Sequence, residues 1–139
     1  MDGAGSKEVI ARFVEEAINQ GSFGVMDEIV AEDFVELDPL PGQRQGREGL
    51  KEVIGVFRAA FPDIRWTIEE HICEGEKVAS RFTWTGTHKG EFMGIPATGK
   101  RVSVKGTVFD RVVNGQMKDS RILMDTMGMM QQLGVIPPG

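Results

Sequence analysis

The chain has 139 residues, enough for one domain with its own core and too few for two ordinary ones. Its 40% hydrophobic and 27% charged residues are a globular balance, and a net charge of −5 offers no electrostatic footprint for nucleic acid or an anionic membrane. A lone cysteine, Cys73, excludes an internal disulfide and a cysteine-rich metal site, and the two histidines, His71 and His88, lack metal-ligand spacing.

No apolar run approaches ~18 residues, so no membrane-spanning helix is expected. The opening "MDGAGSKEVIARF" is acidic and helix-like, without the apolar core of an export signal, which makes a cytoplasmic protein the simplest expectation. Tyrosine is absent altogether. Any mechanism that needs a tyrosine hydroxyl as oxyanion donor is closed to this chain.

Residues 6–21, "SKEVIARFVEEAINQG", carry Val9, Ile10, Phe13, Val14, Ala17 and Ile18 on one helical stripe, with Ser6 as N-cap and Gly21 past the end. A second, shorter helix is expected through Met26, Ile29 and Val30. A short extended piece and a Pro/Gly loop, "FVELDPLPGQRQG", follow. The third helix places Leu50, Val53, Ile54, Phe57 and Phe61 on its stripe and stops at Pro62.

After Pro62 the apolar period shortens to 2. "IRWTIEEHI" alternates Ile64, Trp66 and Ile68 against Arg65, Thr67 and Glu69. "EGEK" turns into "VASRFTWTGTH", a long loop "KGEFMGIPATGK" leads to "RVSVKGTVFDRVV", and "NGQ" at 114–116 is a tight-turn signal before "MKDSRILMD". A short helix fits "TMGMMQQLG". Three helices, four meandering antiparallel strands and a terminal helix make a single α+β domain over residues 1–139, with its core in about 7–135. Ile122, Leu123 and Met124 stand in succession, so the last strand has apolar groups on both faces. The helices cover one face, and a homodimer through the other is the economical cover.

The stretch from "DPLPGQ" through "GTHKGEFMGIPATGK", with "FDRVVNGQM" and "MDTMGMMQQLG", resembles the SnoaL-like polyketide cyclase family of the nuclear-transport-factor-like superfamily. The resemblance covers about residues 7–135. It implies a curved, mostly antiparallel sheet, a cone-shaped barrel wrapped around the N-terminal helices with an internal cavity, usually in a dimer. It also implies a cofactor-independent, metal-free acid–base enzyme acting on a small hydrophobic carbonyl compound, most often by intramolecular aldol closure. In such cyclases an aspartate on the last strand is the general acid/base, and Asp125 is the matching position. Arg111, Ser120 and Leu37 stand where relatives carry histidine.

Asp125 is therefore the first candidate catalytic residue, since a carboxyl in an apolar cavity has its pKa raised toward neutrality. Arg81 is the second, a central strand cation able to hold an enolate, with Thr83 two residues on. In a regular strand, Arg121, Leu123 and Asp125 share one face and Ile122 and Met124 the other. Thr83, Arg111, Arg121, Trp66 and Asp38 are the substrate-binding candidates. Trp66 and Trp84 offer flat surfaces for stacking, Asp38 precedes Pro39 at a loop, and His88 opens the Gly-rich loop. Two readings compete with the cyclase. One is a non-catalytic ligand-binding dimer of the same fold. The other is a cofactor-free hydroxylase or epoxide-hydrolase-like relative, for which Arg81 and Asp125 match but Thr83 replaces the second aspartate.

Overall fold

A computed structural model describes residues 3–137, and the side chains of residues 5–137. The first helix, α1 (Gly3–Arg12), starts before Ser6, which is buried inside it instead of capping it. It continues as a π-helix over Phe13–Asn19, closed by a bond from the Gln20 amide to the Glu15 carbonyl at 3.1 Å. The wider turn keeps Phe13, Val14, Ala17 and Ile18 all on the buried side. Its C-terminal carbonyls are capped by Arg58, whose Nη1 donates to the oxygens of Ile18 (2.6 Å) and Asn19 (2.9 Å).

The expected second helix is cut short. A 3₁₀ turn (Phe23–Val25) leads into α2 (Met26–Ile29), and Val30 already begins strand β1 (Val30–Glu36). This strand is the principal addition to the expected topology: it pairs in parallel with the last strand. Extended backbone wins here because β1 finds an open sheet edge, where Val30 and Phe34 bury their side chains. Helix α3 (Gly46–Ala60) follows the Pro/Gly loop as expected.

The remaining strands are β2 (Arg65–Glu74), β3 (Lys77–Thr87), β4 (Arg101–Val113) and β5 (Gln116–Met124). They form one curved, unclosed sheet in the order β1-β5-β4-β3-β2, antiparallel except at β1. The β4–β5 turn places Asn114 (φ 50°) and Gly115 (φ 79°) in the left-handed region, the geometry that an Asn-Gly pair adopts at low cost. Helix α4 (Thr126–Leu133) runs along the part of β4 that β5 does not reach. Gln132 fills in for the missing strand there, accepting from the Ser103 amide (2.7 Å) and donating to the Ser103 carbonyl (2.9 Å).

The concave face of the sheet holds Val78, Phe82, Trp84, Val102, Val104 and Val112, packed against Ile10, Phe13, Ile54, Phe57 and Phe61 from the helices. Gly106 on β4 makes this face possible, since a Cβ there would lie 2.6 Å from the Phe82 ring and 2.3 Å from the Leu123 carbonyl. Among the described residues no helix is long and apolar enough to cross a membrane.

Candidate active site

Side-chain alternation decides what faces inward. On β4 the even-numbered residues Val102, Val104, Val108, Asp110 and Val112 point to the concave side, and on β3 Val78, Ser80, Phe82 and Trp84 do. The register then assembles one polar row. Val78 pairs with Asp110, Asp110 with Ser120, and Ser120 with Glu36, so Asp110, Ser120 and Glu36 sit side by side on β4, β5 and β1. Without the parallel pairing of β1, Glu36 would not reach this row.

The row faces a cavity of about 530 Å³ between the sheet and the helices. Phe13, Val14, Leu50, Phe57, Trp66 and Phe82 supply apolar walls, while Asp38, Leu40 and Gln43 stand at the end formed by the loop after β1. Trp66 stacks on Phe82 at 4.4 Å between ring centres. Asn19 fixes its backbone, accepting from the Trp66 amide (2.7 Å) and donating to the Trp66 carbonyl (3.0 Å). The π-helical segment thus sets the position of Trp66 on the cavity wall.

Asp110 is only 3% exposed and Glu36 only 7%. Burial pushes the Asp110 carboxyl up to about 7, opposed by a hydrogen bond from Ser120 and reinforced by the charges of Glu36 and Asp119. Burial pushes Glu36 up to about 7 as well, against hydrogen bonds from the backbone of Asp38 and Ile122. The Asp38 amide lies 2.9 Å from Glu36 Oε2. Ser120 stands between the two carboxyls in the row, and the Glu36 charge raises Asp110, so the two acids are coupled. Two backbone N–H groups favour ionised Glu36, which makes it the better placed of the two carboxyls to carry a negative charge.

Most of the other expected site residues lie elsewhere. Asp125 is not in the cavity: it is exposed and N-caps α4, its Oδ1 accepting from the Gly128 amide at 2.9 Å. The strand ends at Met124, so the alternation that would have aimed Asp125 inward no longer applies. Asp125 and Thr83 border a separate open groove with Ser103 and Lys105. Arg81 points to the convex face and pairs with Glu70 at 2.9 Å, so it does not meet the cavity. Arg111 lies on the same face, bonded to Asp119 at 2.7 Å with Glu76 at 3.6 Å. Arg121 is also outside, 4.0 Å from Asp38, which does line the cavity. His88 is wholly buried in its loop, Nδ1 accepting from the Thr98 amide at 3.2 Å.

Asp110, Glu36 and Ser80 were not singled out by the sequence reading, although one signal for Asp110 was present. It is the only charged residue in the alternation Val102, Val104, Val108, Asp110, Val112. Glu36 carries no such signal until residues 30–36 are known to be a strand.

A family model described as SnoaL-like polyketide cyclase matches residues 8–133. Nogalonic acid methyl ester cyclase of Streptomyces nogalater is 30% identical over 120 residues, covering 85% of this chain and 90% of that protein. Aklanonic acid methyl ester cyclase DnrD of Streptomyces peucetius is 30% identical over 135 residues, covering 91% and 89%. Among solved structures, TsrD from Streptomyces laurentii matches with a TM-score of 0.89 at 27% identity, covering 98% of this chain and 99% of that one.

Proposed function

This chain belongs to the SnoaL-like polyketide cyclase family and is a polyketide cyclase, and we propose that Glu36 and Asp110 are its base and acid. The observation that carries this reading is the pair of buried carboxyls, flanking Ser120 and each pushed up to about 7, on an apolar cavity of about 530 Å³. A pair that shares one proton at neutral pH holds a base and an acid ready at once.

The substrate is a neutral polyketide keto ester, of the kind named for the two methyl ester cyclases. The Glu36 carboxylate takes a proton from the carbon beside one carbonyl. The resulting enolate carbon bonds to a second carbonyl carbon of the same molecule. The electron pair of that C=O bond moves to its oxygen, which receives the proton of Asp110. The product is an isomer of the substrate, so no oxidant, reductant or cofactor enters the balance. Ser120, between the two carboxyls in the row, returns the proton from Glu36 to Asp110 by taking one at its oxygen and giving up its own.

Proton exchange tests the reading without the natural substrate. With an aryl ethyl ketone in D₂O, the protein is expected to remove the α-proton NMR signal at least ~100-fold faster than buffer. The rate is expected to rise through about pH 7 as Glu36 ionises. Exchange no faster than buffer would defeat the assignment.

The same fold leaves a convex face that we assign to a second copy of the chain. Ile72 (68% exposed), Phe109 (56%) and Leu123 (68%) lie on it, with Ile72, Ala79, Phe109 and Arg121 aligned across four strands. The Arg81–Glu70 and Arg111–Asp119 pairs on that face supply polar groups around the apolar ones. Sedimentation is expected to show a dimer at micromolar concentration, and Phe109→Glu with Leu123→Glu a monomer. A monomeric wild type would refute the interface.

A further inference from the structure

Ser80 sits on β3 two residues along from Val78, the partner of Asp110, so the two side chains are diagonal neighbours on adjacent strands of the concave face. It lines the cavity and is 4% exposed. Its hydroxyl has no hydrogen-bond partner among the described residues. Its cross-strand neighbours explain this. Val108 offers no polar atom, and His71 leaves its own Nδ1 unpartnered without turning to the serine.

A buried hydroxyl with nothing to bond costs stability, and an alanine of nearly the same shape would remove the cost. Ser6 Oγ and His88 Nε2 are also buried without a hydrogen-bond partner among the described residues, but only Ser80 lies on the cavity wall, where a ligand can supply one. We infer that Ser80 donates its O–H to the electrophilic carbonyl oxygen of the substrate, completing with Asp110 a two-donor oxyanion site. The inference rests on the cyclase reading for its chemistry and adds a donor to it. As the C–C bond forms, the carbonyl π pair becomes an alkoxide lone pair. Asp110 transfers its proton to that oxygen, while Ser80 holds a hydrogen bond to it throughout and keeps its own proton. With no tyrosine in the chain, a serine hydroxyl takes the donor's place. Donors already in place where charge develops need no reorganisation during reaction, which is why one such group counts for much.

Ser80→Ala is the variant to make, read in two independent ways. In the first, kcat for cyclisation is expected to fall about 100-fold with KM changed less than about 3-fold, while Tm stays level or rises. A purely structural serine would leave kcat unchanged, and full kcat in the variant overturns the inference. The second reading needs no turnover: affinity for 9-fluorenone and for fluorene, two flat ligands differing in one carbonyl, followed by tryptophan fluorescence. The wild type is expected to prefer the ketone at least ~10-fold, and Ser80→Ala to lose that preference. Equal preference in the two proteins, or none in the wild type, overturns the inference. If the wild type fails to turn over any keto ester, the cyclase chemistry fails and the ketone preference alone decides the donor.

Discussion

Asp110→Asn is expected to lower kcat by about 10³-fold while leaving KM within a few-fold of wild type. The amide keeps the shape of the acid and its contact with Ser120, but has no proton to give to the developing alkoxide. Glu36→Gln is expected to lose a similar factor, because the base is then gone. Losses of residues that act as one unit do not add, so the double variant is expected to be little slower than either single one. The decisive contrast is with Asp125. Asp125→Ala removes the cap on α4 and is expected to destabilise the protein by about 1 kcal/mol, with turnover within about 3-fold of wild type. Steady-state kinetics and urea unfolding on the four variants measure all of this. Lost turnover in Asp125→Ala with full turnover in Asp110→Asn would move the site to the groove beside α4.

The second large effect is on stability as pH changes. Asp110 and Glu36 both titrate near 7 in the folded protein, well above their ordinary values of 3.8 and 4.5. Between those limits the folded state binds more protons than the unfolded one. Their contribution is therefore fully present in acid and is lost as pH rises toward and through 7. The expected loss from Asp110 between about pH 4 and 8 is on the order of 4 kcal/mol, and coupling keeps the pair below twice that. Other carboxylates act in the opposite sense: Asp63, Asp27 and Asp33, held low by Thr87, Lys51 and Lys118, lose their stabilising partners in acid. The dyad's share is isolated by difference. Urea unfolding across this range is expected to show wild type weakening relative to Asp110→Asn as pH rises, until the variant is the more stable above pH 7. Parallel curves for the two proteins would mean that Asp110 is not a buried, raised acid.

A gain in stability from removing a central carboxyl fits the role given to Ser80. Both residues place polar groups where an apolar side chain would pack better, and both face the same cavity. Stability is given up where chemistry is needed.

The amphipathic stripes of 6–18 and 50–61, the switch to period 2 after Pro62, and the Asn-Gly turn at 114–115 are local patterns. They determined α1, α3 and the β2–β5 meander without any knowledge of the neighbours, while β1 escaped them. The resemblance carried by "GTHKGEFMGIPATGK" and "MDTMGMMQQLG" pointed to the family, which the matches over residues 8–133 show. The site was less legible. The resemblance marks Asp125 as the general acid/base position at the end of the last strand. In three dimensions the strand stops one residue earlier, and a carboxylate at that stop does what aspartates do at helix starts.

Glu36, Asp110 and Ser120 are 84 residues apart at the extremes and share no motif. Only the parallel pairing of β1 with β5, and the register of β5 on β4, brings them into one row. Even Asp110, visible as the odd residue in a valine alternation, takes its raised pKa from burial and from Glu36 beside it. Periodicity is written residue by residue along the chain, so the sequence by itself determined the amphipathic helices and the β2–β5 meander, but not β1. Burial and proximity arise between segments distant in the chain, so only the tertiary structure decided which carboxyls could work together.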